Sequence, residues 1–199
     1  MDTLEDLIAD VLDRMVRPDL LPMARKVARS VLFNLHATSD FHRDLVRTAA
    51  EPVTSDTTAI ALPQAFRKLH GVLGFDATGK RITGLSYTPA KLEVRDSYFG
   101  VTNLQAGYYL IGGSVKLLHC YPLPYQVQLE YFAFPAYTLG LDGTVTTDSW
   151  MLGSAYELVA LSLLFALSAH VANKDQLVTL APLLQQEKIF MLAREQTGA

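Results

Sequence analysis

The chain has 199 residues, of which half are hydrophobic and 19% charged, with a formal net charge of −3. That length supports one domain with a sizeable core, and a charged share below the usual quarter or so leaves apolar surface for partners. The acidic balance argues against a general nucleic-acid binder, which clusters Lys and Arg against phosphates, and the single cysteine, Cys120, excludes an internal disulfide and a Cys-rich zinc site.

The first residues, Met1-Asp2-Thr3-Leu4-Glu5-Asp6, are acidic where a signal peptide is basic and then apolar, so no classical export is expected. Leu4, Leu7, Ile8, Val11, Leu12 and Met15 recur at helical spacing behind a capping Thr3, with Asp6, Asp10 and Asp13 on the polar side. Pro18 ends that helix at Arg17. A second helix is expected from near Pro22 to about Leu35, with Met23, Val27, Val31 and Leu35 as its buried stripe and Arg25, Lys26 and Arg29 on the other side.

From about Arg43 the pattern changes to short runs rich in Val, Ile, Tyr and Phe between turn residues, which reads as strands. Ala59 to Pro63 forms one. Leu69–Phe75 and Arg81–Tyr87 flank the loop Asp76–Lys80, and Thr88 to Glu93 suggests a helical turn. Tyr108 to Tyr121 is a hairpin in which Gly112-Gly113 supplies the positive φ of a tight turn. Val127, Leu129, Tyr131 and Ala133 alternate with Gln126, Gln128, Glu130 and Phe132, the pattern of a half-buried strand.

Around Asp148 the chain turns helical again. Ser154 and Glu157 fit a capping box, and the helix behind them, to about Ala172, is apolar on nearly every face, so it is enclosed either by the fold or by other subunits. Its apolar run, Leu158 to Ala169, is too short for the roughly 20 residues of a membrane span. After the turn Asn173-Lys174-Asp175 comes a last helix, Gln176 to about Glu195, which Pro182 should kink or restart. The expected fold class is α+β: a helical bundle of N- and C-terminal helices with an inserted antiparallel β-rich segment. Residues 1–199 then form a single domain, with 1–42 and 148–199 helical and 43–147 the β-rich insertion. Neither terminal helix pair buries its apolar face alone, so the two must pack together.

Chemistry is sparse. Gly74-Phe75-Asp76-Ala77-Thr78-Gly79-Lys80-Arg81 matches a phosphate-binding loop except at its last position, where Arg81 replaces the Mg²⁺-binding hydroxyl. The residues after it read as a strand rather than the required helix, so the stretch is expected to be a hairpin loop. The histidines His36, His42, His70, His119 and His170 never pair at the spacing of two ligands on one helix face. His119 and Cys120 are neighbours on a strand and face opposite sides. No catalytic, metal or cofactor-binding residues are assigned. A rival reading stays open, a small ligand-binding or enzymatic domain whose pocket is lined by Tyr108, Tyr121, Tyr125 and Tyr131, although strand aromatics are more often core.

Three stretches resemble the bacteriophage head-to-tail adaptor proteins, also called head-completion or connector proteins. Ile60-Ala61-Leu62-Pro63-Gln64-Ala65-Phe66-Arg67-Lys68-Leu69 is similar to that family's L-P-x-x-F-x-R-L strand exit. Gly107 to Gly113 through Leu117-Leu118, then Pro122 to Tyr125 and Leu129 to Phe132, resemble its paired-Tyr hairpin, proline link and L-x-Y-Y strand. Asp148-Ser149-Trp150-Met151-Leu152, Tyr156-Glu157-Leu158 and Asn173-Lys174-Asp175 resemble its N-x-W-L-L motif, long apolar helix and Asp-containing turn. The likeness spans roughly Phe41 to Glu195 and departs at Ser154-Ala155, where the family often has Tyr-Pro, and at Pro182.

The resemblance implies a non-enzymatic virion protein of the phage neck, assembled in the host cytoplasm without membrane or cofactor. It implies a homo-oligomeric ring, a dodecamer, beneath the portal protein and against tail or nozzle proteins, with DNA passing through the lumen without sequence-specific binding. Phe190, Met191 and Arg194 are then the candidate subunit or portal interface. Another neck role, a stopper or tail-completion factor, is the related alternative.

Overall fold

The structure, a computed structural model, describes residues 3–53, 59–82, 86–87, 107–118, 126–140 and 143–197. Two compact units emerge: a helical one from Met1–Asp44 with Phe134–Ala199, and a β-rich one, Leu45–Ala133. The fold class is α+β, as the sequence periodicities predict.

In the helical unit, α1 (Leu4–Met15) starts on Thr3, whose Oγ1 accepts the Asp6 amide at 3.1 Å while the Asp6 carboxylate accepts the Thr3 N–H at 2.8 Å. This closed box satisfies donors that a helix start leaves orphaned. The helix ends on Val16 in the left-handed conformation, φ 55°, and Arg17 N–H reaches back to the Leu12 carbonyl. A 3-10 turn at Pro18–Leu20 leads into α2 (Leu21–Thr38). The buried face of α2 is Ala24, Ala28, Val31, Leu32, Leu35 and His36; Met23 and Val27 are only half-buried. Val31 and Leu35 are buried as expected, and the buried face extends one residue further round the helix, where Ala24, Ala28 and Leu32 join the core built with α1 and α4.

A two-stranded antiparallel hairpin, here β10 (Tyr137–Leu139) with β11 (Val145–Thr147), belongs to this unit too. Then come a short α3 (Met151–Ser154), α4 (Tyr156–His170) and α5 (Lys174–Thr197). The expected cap at Ser154 is not formed: Ser154 ends α3, Ala155 precedes α4, and no side chain caps it. Ser154 Oγ instead accepts from Arg43, and Glu157 takes the Arg14 guanidinium at 2.9 and 3.3 Å. These long-range partners outcompete a local box worth about 1 kcal/mol. Helix α4 buries Leu158, Val159, Ala160, Leu163, Leu164 and Leu167, so its all-round apolarity is used inside the unit. Asn173 accepts the Gln176 amide and opens α5 two residues earlier than expected. Pro182 lies inside the helix without ending it. It leaves the Val178 carbonyl without its intrahelical donor, at a place where both residues are exposed.

In the β-rich unit, β1 (Leu45–Arg47) and β2 (Glu51–Pro52) follow one another along one edge of β9 (Gln126–Ala133). The other edge of β9 pairs with β4 (Phe66–Phe75), which pairs in turn with β5 (Arg81–Ile82). A second sheet runs β3 (Ala59–Ala61), β8 (Ser114–Leu118), β7 (Gly107–Ile111) and β6 (Ser86–Tyr87), its last pair parallel. Val72, Val127, Leu129 and Tyr131 from the first sheet join Ile60, Tyr108, Val115 and Leu117 from the second in one apolar core. Gly112 and Gly113 take positive φ in the β7–β8 turn, as expected. The expected arm Arg81–Tyr87 is divided between the two sheets, β5 in one and β6 in the other. The helical turn expected at 88–93, and His119, Cys120, Tyr121 and Tyr125, lie outside the described residues.

The loop resembling a phosphate-binding loop is a hairpin loop: Asp76 N–H donates to the Lys80 carbonyl at 2.9 Å, and Gly79 takes φ 80°. Its own carboxylate, Asp76 Oδ1, accepts the amides of Thr78 and Lys80. Those are the amides a phosphate would need.

Among the described residues two that are not glycine take positive φ, Val16 and Ala172, both at 55°, and of these Val16 is β-branched and 82% exposed. Val16→Gly is expected to raise stability by about 0.5–1 kcal/mol, the relieved left-handed cost less the entropy of glycine, in urea unfolding. A loss of stability would refute that reading of the cap.

Candidate functional site

A buried polar cluster lies in the helical unit. His36 comes from the core face of α2, Asp44 from the last turn before the β-rich unit begins, and Ser149 and Trp150 from the entry to α3. His36 Nδ1 lies 2.9 Å from Asp44 Oδ2, and His36 Nε2 lies 2.9 Å from Ser149 Oγ. Trp150 Nε1–H donates to the other Asp44 oxygen at 2.7 Å, and the Met151 amide donates to Ser149 Oγ. Both ring nitrogens are satisfied by the tautomer that donates from Nδ1 to the carboxylate and accepts the serine hydroxyl at Nε2. Phe41 and His36 pack edge-on against Trp150, and the Arg43 guanidinium lies over its indole at 5.2 Å.

The connectivity is that of a Ser–His–Asp triad, but access decides its role. His36, Asp44 and Ser149 are 0%, 5% and 6% exposed, so no substrate carbonyl reaches the serine oxygen. The cluster holds the exit of α2 and the entry of α3 together. In the sequence His36 has no second histidine at metal-ligand spacing. Its spacing from Ala28 and Leu32 was the one signal that placed it on the core face, and its partners stand 8 and 113 residues away.

The charged patches are also engaged. Arg25 pairs with Glu5 at 3.0 Å, whose other oxygen accepts the Val145 amide at 3.2 Å, and Arg29 lies over the Tyr137 ring. Of the acidic row on α1, Asp6 caps the helix, Asp10 pairs with Arg14 and accepts from the Tyr156 hydroxyl, and Asp13 is exposed. Tyr108 and Tyr131, which the rival reading put in a pocket, are 5% and 7% exposed within the β-rich core. Among the described residues no three His, Cys, Asp or Glu side chains gather as a metal ion requires.

Of the exposed large apolar residues among those described, Val16, Phe33 and Val46 stand apart on other elements, and four gather on α5. Phe190 and Arg194 are exposed there, whereas Met191 is 2% exposed and faces the unit's core with Leu180. Val178, Leu183 and Ile189 extend the exposed set. At about 100° per residue Val178, Pro182 and Ile189 fall in one row and Leu183 and Phe190 in a second about 100° round the helix, with Thr179 and Gln186 between them.

Breaking the buried cluster should be costly. His36→Leu removes the ring that pairs with the Asp44 carboxylate and should cost about 3–5 kcal/mol, and Ser149→Ala about 1–2 kcal/mol, by urea denaturation. The reverse order would contradict the arrangement. Tyr137 gives a pH test. Burial pushes its hydroxyl up to about 12, Asp148 and Asp44 adding to the effect and Arg29 opposing it, and the hydroxyl has no hydrogen-bond partner among the described residues. A raised folded value means stability is fully present below the unfolded value near 10 and is lost as pH rises toward 12. Tyr137→Phe should leave neutral-pH stability unchanged or higher and flatten that alkaline loss. An equally steep loss would show that another group is responsible.

The comparison with known proteins agrees with an assembly protein. No curated protein matches the chain significantly. Residues 2–191, nearly the whole chain, match the family model described as SU10 adaptor protein, a phage head-to-tail adaptor family and a structural rather than an enzymatic class. Since that match spans nearly the whole chain, the chain belongs to the SU10 adaptor family of phage head-to-tail adaptors.

Proposed function

We propose that copies of this chain form a ring, a dodecamer, seated beneath the portal protein in the neck of a phage particle, with DNA passing through its lumen. The observation that carries the reading is the apolar outer surface of α5, where Val178, Ile189 and Phe190 are 76%, 59% and 58% exposed. Exposed large apolar residues gathered on one helix mark contact surfaces, and no described helix is long and apolar enough to cross a membrane. Phe190 and Arg194 form this contact with the portal or a neighbouring subunit, and Met191 supports it from behind.

The chain acts as one domain, its helical part meeting the portal and its inserted β-rich part meeting tail or nozzle proteins. Its mechanism is multivalent docking. A contact too weak to hold one copy becomes strong when the portal presents the same site many times, since each further engagement is intramolecular. Assembly then takes place in the host cytoplasm, on the finished head.

Ile189→Asp and Phe190→Asp should each weaken binding to the cognate portal tenfold or more, the scale of losing a buried anchor. Both should leave the thermal midpoint nearly unchanged, because both side chains are already exposed. Binding is read by surface plasmon resonance, and ring formation by electron microscopy of the mixture. Undiminished binding by both variants would remove α5 from the interface. A portal contact made through the β-rich part alone would favour a stopper or tail-completion role.

A further inference from the structure

Charge is segregated along this chain. The β-rich unit, residues 45–133, holds eight Lys and Arg against six Asp and Glu, whereas the rest of the chain holds nine against fourteen. The basic excess is concentrated by an irregularity of β4. Its pairing with β9 shifts register twice, between Phe66 and Lys68 and again between Leu69 and Gly71, so that Arg67 and His70 are extra residues on the bulged strand. A regular strand would send alternate side chains to opposite faces. Bulges re-aim them.

Here Arg67, Lys68 and His70 all converge on one ring, Phe132. The guanidinium carbon lies 5.0 Å from the ring centroid, the ammonium 5.9 Å and the imidazole centroid 5.6 Å. Two residues along β9, Glu130 accepts from Arg47 of β1 at 2.9 Å and lies 3.7 Å from His70. Leu129 and Tyr131, which alternate with Glu130 and Phe132, point into the apolar core, so this cluster stands on the outer face of the sheet. Glu130 is 13% exposed and sits low in it, while Arg47 and His70 stand 65% and 52% exposed.

From this geometry we infer that the outer face of the β4–β9 pair, Arg47, Arg67, Lys68 and His70 around Phe132, binds the helical unit of a neighbouring copy of this chain through its exposed acidic row on α1. The inference rests on the ring reading above and adds a lateral contact to it. A closed ring needs a heterologous interface, in which one surface of each copy meets a different surface of the next. A chain that places excess cations on one unit and excess carboxylates on the other carries both halves of such an interface. Asp6 and Asp13 lie two helical turns apart on the outer side of α1, with exposed Ala9 between them. Duplex DNA fits this face less well, because a chain of net charge −3 repels a polyanion as a whole while attracting the oppositely charged unit of its own kind.

Sedimentation velocity of the full chain, without portal, tests this contact separately from portal docking. Wild type should self-associate at about 20 mM salt and dissociate at about 500 mM, where charge is screened within a few ångströms. The basic-face variant Arg47→Gln/Lys68→Gln, neutralised so that it cannot pair with an added lysine, and the acidic-row variant Ala9→Lys/Asp13→Lys should each weaken association tenfold or more. All four side chains are exposed, and circular dichroism confirms folding. An equimolar mixture of the two variants should form dimers that do not grow, since each retains only one half of the interface. Association of either variant at wild-type strength, or a mixture that stays monomeric, would overturn the inference. So would a basic-face variant that loses only affinity for a duplex oligonucleotide, which would make the face a DNA contact. Portal binding by both variants, measured as above, reports on the ring reading independently.

Discussion

A helix that is apolar on every side has to be covered on every side, and α4 sets this requirement for the helical unit. Leu158, Leu163 and Leu167 are fully buried, and each is worth about 1.5–3 kcal/mol when removed from water. The cover comes from both ends of the chain, α1 and α2 before the β-rich unit, and α3 and α5 after it. A β-rich segment placed between those ends is therefore an insertion into a helical unit that must still close around α4. Exposed ion pairs such as Arg14–Glu157 orient the helices, but at about 0–1 kcal/mol they do not compete with that burial.

The His36 cluster shows why connectivity is a poor guide to chemistry. A serine, a histidine and an aspartate joined at 2.9 Å are the parts of a hydrolase, and here they act as a structural tie. What separates the two outcomes is solvent. A buried carboxylate is costly unless several donors meet it, and Asp44 takes one from His36 and another from Trp150. The same enclosure that makes the network strong closes it to any substrate. Its position also has a purpose, since Asp44 is the last residue before the chain enters the β-rich unit.

Surface chemistry divides in the same way between the units. The helical unit presents an apolar helix face backed by Leu180 and Met191, and the β-rich unit presents cations brought together by two bulges. Apolar burial supplies affinity, while opposed charges select orientation and partner. The proposed ring would need both, because every copy in it would bind its neighbour in one sense only. Segregating the two kinds of contact onto different units lets each be matched to a different partner.

Periodicity in the amino-acid order was enough to determined where the helices and most described strands lie, because those patterns are local. Thr3 and Pro18 mark boundaries the structure keeps, and the Gly112-Gly113 turn forms where its glycines require it. Three things were decided only by tertiary structure. Ser154 lost its cap to Arg43, a partner 111 residues away. The buried face of α2 takes in Ala24 and Ala28 in place of the longer Met23 and Val27, which are only half-buried. Arg67 and His70 reached the face of Phe132 through bulges that depend on pairing with β9, so no reading of β4 alone places them there. Each depends on residues distant in sequence, and their cost or gain exists only once the chain has closed around α4.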